Sequence, residues 1–426
     1  MHICVLGAGV VGTTSAYHLW QAGHEISLID AQAAPAQMAS FGNGAQLSYS
    51  YVAPLADPSV WTKWPEYLFS AQSPLTFRPQ LDSNQWRWMF KFLAACTATQ
   101  VKQSTINLLQ LAMYSRRVMH GLMAQSSFNF SHQHAGKLVM LGDANALKAA
   151  ASQVAFQAEH GCDQTVFGID ACLEIEPALA TARQRWLGGV YTASEEVADC
   201  PGFCRALVDE MARSERFHFL PHTQIAKPHI VNNNLVTITA MQGDAMIHLH
   251  ADQFVIAMGV ESRAWAQQLG FYLPIYPLKG YSISVPIQTT ERDAAPQVSI
   301  TDLSRKIVYA RLGEQLRVAG RVELVGMNRA LSERAVNELI GETKALFPRC
   351  ADLSTPSQLS PWTGMRPATP TGLPIIGRSP MDNVFLNVGH GALGWTLACG
   401  SAALLTAQMT HADLAIDDAP YRLQSA

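Results

Sequence analysis

Three glycines near the beginning of the chain have the spacing of a turn that binds a dinucleotide. Gly7, Gly9 and Gly12 directly follow a short apolar run over residues 2–6. In such a turn the first glycine permits a tight bend, the second lets a pyrophosphate approach the backbone, and the third lets a helix lie close to the strands. Asp30 ends the next apolar run, where a carboxylate can accept hydrogen bonds from ribose hydroxyls.

A strand, a helix and a second strand must hold this turn in place. The pattern predicts a strand over 2–6, a helix through Trp20 that stops at Gly23, and a second strand over 26–29. The start of the helix offers free backbone N–H groups and a partial positive charge, which stabilise phosphates. Because these parts occur in register, the sequence predicts a dinucleotide-binding βαβ unit.

Two further segments contain glycines in suggestive places. Residues 38–50 (MASFGNGAQLSYS) follow the second strand too soon to form a full crossover, and they predict either a loop against a flat ligand or an ordinary surface turn. Near the other end, a strand over 384–388 runs into the glycine-rich segment 389–394 and then into an apolar helix over 395–409. A helix that is apolar on all sides is expected to be buried. Its glycine-rich start, like the first turn, leaves backbone N–H groups free to bind a negatively charged group.

The sequence between these segments predicts a second set of elements. The apolar run over 254–259 ends in glycine and is typical of a buried parallel strand of the same sheet. The remaining pattern predicts helices over 101–123, 146–159 and 201–211, strands over 136–141, 186–193, 235–240 and 246–250, and an antiparallel sheet over 273–285, 299–310 and 315–319. Segment 362–377 is rich in turn residues. The chain therefore leaves the nucleotide-binding domain and returns to it.

Aromatic residues are dense between residues 61 and 92. The segment QWRWMFKFL within this stretch interleaves aromatic and basic residues, which suits a surface that faces a membrane or a partner protein. The alternative is a helix that packs on the rest of a large second domain.

Composition excludes several classes of protein. The chain has 426 residues, of which 48% are hydrophobic and 15% are charged, so long disordered tails are not expected. With 30 basic and 33 acidic residues the net charge is −3, which leaves no electrostatic footprint for nucleic acid. Eight cysteines without a CxxC pair predict buried thiols in a reducing compartment, and neither a disulfide framework nor a zinc site. No metal site is predicted elsewhere.

Targeting signals are absent from the pattern as well. The first strand begins too early for a signal peptide, and no apolar run reaches the roughly 20 residues of a membrane-spanning helix. We therefore expect a cytoplasmic protein, either free or peripheral on the inner face of the cytoplasmic membrane.

Five segments, in this order, give the chain a family resemblance: SFGNGAQLS, QWRWMFKFL, LPIYPLKGYSISV, PWTGMRPATPTGLPIIG and NVGHGALGWTLACGS. Together with the N-terminal glycine turn and the late strand that ends in AMG, they resemble the glycine oxidase and D-amino-acid oxidase superfamily of FAD enzymes. Within that superfamily they are similar to the small-subunit type of bacterial FAD-dependent D-amino-acid dehydrogenase. The resemblance covers nearly the whole chain.

The resemblance implies an α/β fold with FAD between two domains. One is a Rossmann-like FAD-binding domain of the glutathione-reductase type, expected over 1–50, 196–262 and 362–426. The other is an α+β substrate-binding domain built on an antiparallel sheet, expected over 51–195 and 263–361. The residues expected at FAD are Gly7, Gly9, Val10, Val11, Gly12, Asp30, Ser40, Asn43, Gly44, Ala45, Gln46, Ala257, Gly259, Gly389, Gly391, Leu393 and Gly394.

For the substrate, the resemblance implies an α-amino acid. Arg366 occupies the position that binds the substrate carboxylate in related oxidases, where a planar guanidinium can form a bidentate pair; the alternative is an arginine that caps a turn or bridges strands. Tyr276, Tyr281 and Tyr309 are candidates to hydrogen-bond the carboxylate or line the pocket, or else ordinary packing residues. His390 is not expected to be a base, because hydride transfer from Cα to flavin N5 needs none when the amine arrives neutral.

The activity that the resemblance implies is the oxidative deamination of D-amino acids to 2-oxo acids, with electrons passed to a quinone or another respiratory acceptor. Alternatives are a dehydrogenase for D-proline or hydroxyproline, and an amino-acid oxidase that uses O₂. From another class, a flavin-bearing electron-transfer or binding subunit would need a partner. An NAD-dependent dehydrogenase is disfavoured, since the chain returns to the nucleotide domain at its C-terminus.

Overall fold

The computed structural model describes residues 1–61, 75–288, 293–353 and 359–424. Within these ranges the strands are β1 (His2–Leu6), β2 (Glu25–Ile29), β3 (Gln46–Leu47), β4 (Leu75–Phe77), β5 (Lys137–Leu141), β6 (Thr165–Gly168), β7 (Gly188–Thr192), β8 (Glu196–Val197), β9 (Phe217–Leu220), β10 (Thr223–Val231), β11 (Asn234–Gln242), β12 (Ala245–Leu249), β13 (Gln253–Ile256), β14 (Tyr276–Pro286), β15 (Ser299–Asp302), β16 (Ile307–Leu312), β17 (Gln315–Leu324), β18 (Trp362–Ala368), β19 (Ile375–Arg378) and β20 (Val384–Val388). The α-helices are α1 (Val10–Gln21), α2 (Ser83–Ala95), α3 (Ala98–Gln125), α4 (Ala144–Ala158), α5 (Ile169–Ile175), α6 (Cys200–Met211), α7 (Ser262–Gln268), α8 (Glu333–Leu346) and α9 (Gly394–Thr410).

A six-stranded sheet in the order β19-β20-β13-β1-β2-β9 carries the predicted nucleotide-binding unit. Its neighbouring strands are parallel, except that β19 runs antiparallel to β20. The βαβ prediction is confirmed, since β1 and β2 pair side by side and α1 connects them. The apolar run at 254–259 is likewise confirmed as a parallel strand, β13, directly beside β1.

Helices cover one face of this sheet, and strands cover most of the other. On the first face, apolar residues of α1, α3, α6 and α9 pack against Ile3 and Val5 of β1. On the second face, the antiparallel sheet β10-β11-β12 and helix α7 pack against Leu6 and Ile256. Helix α9 confirms the apolar helix predicted over 395–409. Most of its residues are buried, because no side of this helix is polar enough to face solvent.

A nine-stranded sheet forms the second large layer, in the order β18-β14-β17-β16-β15-β5-β7-β6 with β4 beside β17. Most neighbours are antiparallel, as predicted, while the pairs β15/β5 and β17/β4 are parallel. Segment 362–377 is rich in turn residues, but its first half is strand β18, which pairs with β14 along its whole length, and turns begin only after Ala368. The segment 362–426, which is expected in the FAD-binding domain, therefore begins with a strand of the nine-stranded sheet.

The aromatic stretch at 61–92 is described only in part, since residues 62–74 lie outside the described ranges. Helix α2 buries Trp88 and Phe92 in a cluster with Tyr276, which supports the packing interpretation. Its other face exposes Trp86 and Phe90, so the surface interpretation stays a prediction.

The cysteines and the helix lengths bear on two further expectations. All eight cysteines are buried and none forms a disulfide, as the absence of paired motifs predicts. Across the described ranges, no helix combines the length and apolar character that crossing a bilayer requires.

Candidate active site

The carboxyl ends of four parallel strands meet at one edge of the six-stranded sheet. Gly7 follows β1, Asp30 follows β2, Ala257 follows β13 and Gly389 follows β20. Open parallel sheets bind their ligands at this edge. The fold therefore brings together residues that the sequence predicts at a cofactor from four distant segments.

The glycine turn leaves no room for side chains at two of its three glycines. Gly7 has a φ of +99°, and an added Cβ would lie 2.8 Å from the carbonyl oxygen of Ala257. A Cβ at Gly12 would overlap the carbonyl oxygen of Gly7. At Gly9 the nearest atom to an added Cβ is Ser40 Oγ, at 3.4 Å. The space beside Gly9 thus fits a pyrophosphate that approaches the backbone.

Backbone N–H groups fix Asp30 and Ser40 beside the turn. Ala8 N–H donates to Asp30 Oδ2 at 2.6 Å, and Gln32 N–H donates to Oδ1 at 2.8 Å. Burial raises the pKa of Asp30, and these hydrogen bonds oppose that rise. Each oxygen keeps a second lone pair for a ribose hydroxyl. Val10 N–H donates to Ser40 Oγ at 3.0 Å.

The loop before β3 is held by its own polar groups and by the larger sheet. Asn43 Oδ1 accepts from Ala45 N–H, and Asn43 Nδ2 donates to the Ser40 carbonyl, both at 2.7 Å. Ala45 adopts a left-handed backbone with φ +59°. Arg317 Nη1 donates to the carbonyls of Phe41 and Asn43, each at 3.0 Å. This loop is therefore fixed in shape and is not an ordinary surface turn.

The segment between β20 and α9 lies next to both sheets. Ala368, at the end of β18, forms a β-bridge with His390, and Ser48 N–H donates to Thr396 Oγ1 at 3.2 Å. His390 is buried, and burial lowers its pKa to about 3. Its Nε2 has no hydrogen-bond partner among the described residues. At Gly391 an added Cβ would meet open space.

Two helices, α1 and α9, begin at this edge without a side-chain cap, as do α5 and α7 elsewhere, whereas the other five helices of the described chain have one. Asp82, Thr97, Asp143, Asp199 and Ser332 cap α2, α3, α4, α6 and α8 by accepting a hydrogen bond from a backbone N–H. Helices α1 and α9 are preceded by Gly9 and Leu393, which supply no such bond. Unbonded N–H groups at a helix start bind anionic groups, although the first of them in α1, Val10 N–H, is already bound by Ser40 Oγ. Together with the space at Gly9 and Gly391 and the unpartnered Nε2 of His390, these two helix starts fit a bound dinucleotide.

Arg366 lies on the same face of β18 as Trp362, whose ring packs against Gly42 in the loop before β3. Its partner across the pair is Leu278, and its guanidinium lies over Gly280, where a Cβ would overlap it. Arg366 Nη1 donates to the carbonyl of Arg321 at 3.0 Å. Burial lowers the pKa of Arg366 to about 10, so it stays protonated at neutral pH. Within the described chain no carboxylate pairs with it.

The three predicted tyrosines do not share one place. Tyr276 lies on the same face of β14 as Leu278 and packs against Trp88, with ring centroids 5.8 Å apart. Burial raises the pKa of Tyr276 to about 12. Tyr281 and Tyr309 belong to the apolar cluster on the opposite face, with α8.

The contacts of Tyr281 and Tyr309 confirm that they face away from Arg366. Tyr281 Oη donates to Glu323 Oε2 at 2.8 Å, and Tyr309 packs edge-on against Phe347 with centroids 5.4 Å apart. The structure therefore places one predicted tyrosine, Tyr276, on the face of Arg366 and separates the other two from it.

Sequence reasoning missed a buried lysine beside the cofactor loop. Lys137 Nζ donates to Gln46 Oε1 and to Ser48 Oγ, both at 2.8 Å. Burial lowers the pKa of Lys137 to about 8. Burial raises the pKa of Glu195, which accepts the backbone N–H groups of Tyr49 and Ser50. A lysine inside the apolar run GKLVML was the available signal.

Fold and site together define an α/β dinucleotide-binding protein. A family model described as FAD dependent oxidoreductase (DAO) matches residues 2–408. The chain belongs to this family, which confirms both the resemblance drawn from the sequence and FAD as the cofactor.

Among curated proteins, the chain is 44% identical over 431 residues to D-amino acid dehydrogenase 2 of Ralstonia nicotianae, covering 99% of this chain and 100% of that protein. It is 39% identical to D-amino acid dehydrogenase 2 of Pseudomonas aeruginosa, covering 97% and 96%. Among solved structures, glycine oxidase from Geobacillus kaustophilus matches with a TM-score of 0.76 at 19% identity, covering 100% of this chain and 98% of the other. L-proline dehydrogenase from P. horikoshii matches with a TM-score of 0.75 at 15% identity, covering 99% and 96%.

Proposed function

We propose that this protein is a D-amino-acid dehydrogenase. It oxidises the Cα–N bond of a D-amino acid to an imino acid, which water hydrolyses to a 2-oxo acid and ammonia. The names of the curated relatives support the D configuration and the reaction. The bound FAD supplies the two-electron oxidising chemistry.

The observation that carries this proposal is the unpaired guanidinium of Arg366. A partly buried cation without a carboxylate partner is costly unless a ligand supplies the negative charge. The bridge between Ala368 and His390 ties the strand of Arg366 to the start of α9, which is a predicted flavin contact. An amino acid whose carboxylate pairs with Arg366 therefore has its Cα close to the cofactor site.

The chain's own residues bind and orient, and they do not need to remove a proton from Cα. His390 is a poor proton acceptor, because burial lowers its pKa to about 3, and Arg366 is protonated. The substrate amine must therefore arrive neutral, while Arg366 fixes the carboxylate and apolar neighbours such as Leu278 and Trp88 exclude water.

The electron acceptor belongs to the proposal as well. We expect a quinone or another respiratory acceptor, because the curated relatives carry the name dehydrogenase. An oxidase would instead produce one hydrogen peroxide for each substrate oxidised. Parallel assays of peroxide formation and of reduction of an artificial dye separate the two: dye reduction without matching peroxide supports the dehydrogenase.

A peripheral position on the inner face of the cytoplasmic membrane would bring such a quinone within reach. Trp86 is 40% exposed and Phe90 is 68% exposed, and the exposed Arg87 and Lys91 lie beside them on α2. Aromatic and basic residues together suit an anionic membrane surface. Sedimentation with anionic vesicles tests this, with Trp86→Ser/Phe90→Ser expected to reduce binding and equal binding by the variant counting against it.

The function itself is tested by turnover with D- and L-amino acids and an artificial acceptor. We expect D-amino acids to be oxidised and their L forms to be poor substrates. D-Proline and D-hydroxyproline belong in the same panel, because a secondary amine would yield a cyclic imino acid. Turnover by the isolated chain would exclude a subunit that needs a partner, and no turnover with any D-amino acid by the FAD-loaded protein would contradict the proposal.

Gly280→Ala is expected to raise the KM for the D-amino acid about tenfold, a loss of about 1.4 kcal/mol, without loss of FAD. The added Cβ would overlap the guanidinium of Arg366, so the flexible arginine must shift while the strand stays. Steady-state kinetics and the flavin spectrum measure the two effects. Gly341→Ala, in an open position on α8, is the matched control, and a normal KM in the Gly280 variant would place the substrate carboxylate elsewhere.

Tyr309→Phe is expected to leave the KM unchanged. The ring keeps its edge-on contact with Phe347, and the hydroxyl it loses lies on the face of the sheet away from Arg366. The measurement is the KM of the variant under the conditions used for the unmodified protein. A substantially raised KM at full FAD content would mean that this tyrosine reaches the substrate, as the sequence first suggested.

A further inference from the structure

Three histidines and a glutamate meet at a place that the proposed reaction does not use. Glu196 Oε1 lies 2.5 Å from His120 Nε2 and 3.5 Å from His134 Nδ1, and Glu196 Oε2 lies 3.0 Å from His132 Nε2. We call these four residues the His–Glu cluster. The sequence alone predicts no metal site, because its cysteines lack the spacing of metal ligands.

Backbone pairing builds the cluster. Gln133 forms an antiparallel bridge with Val197, and their backbones exchange hydrogen bonds of 2.9 and 3.0 Å. Residues on either side of a bridged residue point to the opposite face from it. His132 and His134 therefore share the face on which Glu196 lies, and this spacing in the sequence SHQHAG was the missed signal.

The carboxylate at the centre is buried and negatively charged. The side chain of Glu196 has no exposed surface. Burial acts to raise its pKa, but the hydrogen bonds from His132 and His120 and the Coulombic interaction with these histidines outweigh burial and lower the pKa. Its ion-pair contacts in the described chain are to histidines alone.

The donor atoms have the type and spacing of a transition-metal site. One ligand atom each from His132, His134 and Glu196 lies within 4.8 Å of the other two. Tetrahedral zinc has ligand bonds of about 2.0–2.2 Å, which separates its ligand atoms by roughly 3.3 Å. His134 is 67% exposed at its side chain, so an ion can enter from solvent and a water can complete the shell.

We propose that His132, His134 and Glu196 bind a divalent transition-metal ion, with Zn²⁺ as the best match to two imidazoles and a carboxylate. His120 and Tyr49 hold Glu196 in place from outside, since Tyr49 Oη lies 3.4 Å from Glu196 Oε2. Such outer partners orient the ligands of metal sites. The ion links the segment before β5 to strand β8.

This site neighbours the cofactor loop but is separate from it. Strand β8 pairs with β3, so that Glu196 lies opposite Leu47, and Ala198 N–H donates to the carbonyl of Ala45 at 2.9 Å. The metal therefore stabilises the strand against which the predicted flavin loop is held. Metal binding and flavin reduction can be measured independently.

The test uses tag-free, FAD-loaded protein that has been stripped with a chelator. We expect dialysis against Zn²⁺ to restore one equivalent per chain, and Zn²⁺ to raise the Tm, because an ion that binds only the folded state stabilises it. Zinc content by elemental analysis, isothermal titration and the flavin spectrum give the readouts. Failure of the intact flavoprotein to retain an equivalent of zinc would overturn the proposal.

Variants assign the binding to these residues. His134→Ala removes a largely exposed ligand, so the fold should persist, and we expect zinc affinity to fall about tenfold or more with the loss of the Tm increase. His132→Ala should do the same. His229→Ala changes an exposed histidine on β10 and is the control. Equal zinc affinity in His134→Ala, His132→Ala and His229→Ala would mean only unspecific surface binding and would overturn the proposal.

Discussion

Arg366→Lys is expected to raise the KM for the D-amino acid strongly while FAD stays bound. Lysine keeps the charge but loses the planar pair of donors that matches a carboxylate. A hydrogen bond to a charged group contributes about 1.5–3 kcal/mol, so the KM should rise roughly 10-fold to 150-fold. Steady-state kinetics with an artificial acceptor give the KM, and the visible spectrum gives the FAD content.

A matched substitution separates this effect from a general loss of charge. Arg213 is 77% exposed at its side chain and pairs with Glu210 on the surface, so Arg213→Lys should leave the KM unchanged. If Arg366→Lys also left the KM unchanged, Arg366 would not be the anchor. It would then be a structural arginine that bridges strands through the carbonyl of Arg321.

Gly12→Ala is expected to abolish stable FAD binding. The new Cβ would overlap the Gly7 carbonyl oxygen, and helix α1 must move away from β1 to relieve the overlap. Overpacking of this kind costs typically 1–3 kcal/mol, and it also displaces the N–H groups that face the pyrophosphate. Gel filtration followed by absorbance spectroscopy shows how much flavin stays with the protein.

Two other glycines make the test decisive. Gly121→Ala, inside α3 with open space around it, should keep FAD and slightly stabilise the helix. Gly9→Ala covers the case in which the Gly12 variant does not fold, because its Cβ would meet only Ser40 Oγ at 3.4 Å while occupying the predicted phosphate space. Full FAD retention by folded Gly12→Ala and Gly9→Ala proteins would contradict the assigned role of the turn.

Local patterns were enough to predict the elements that carry the cofactor. A strand, a glycine turn and a helix form a sequence pattern within about 30 residues. The βαβ unit of β1, α1 and β2 therefore lies near its predicted position, and so do β20 and α9. The glycine-rich approach to both helices was also visible in the sequence, in Gly9 before α1 and in Gly389 and Gly391 before α9.

Non-local pairing accounts for what the sequence could not predict. Strand β18 contains Gly364 and Pro367, which favour turns locally, and only its partner β14 makes it a strand. Tyr276 and Tyr281 are five positions apart in β14, so alternation places them on opposite faces once the strand is known. Which of the two shares the face of Arg366 depends on register, because the pairing of Leu278 with Arg366 decides it. One shift in register reverses the face of every following side chain.

The buried charged groups were missed for the same reason. Lys137 meets Gln46, and Glu196 meets His120, only after distant segments have packed together. A single charged residue in an apolar run indicates that a partner must exist, but it does not say which one.

The most direct test of the account is an anaerobic titration of the FAD-loaded protein, followed by the absorbance of the oxidised flavin. We expect a D-amino acid to bleach the flavin, and the matching D-amino acid amide, which lacks the carboxylate for Arg366, to require a far higher concentration. In Arg366→Ala this preference for the acid over the amide should be largely lost. A fully bound flavin that no D-amino acid reduces, or one that acid and amide reduce equally well in the unmodified protein, would contradict the assignment of Arg366 and of the substrate.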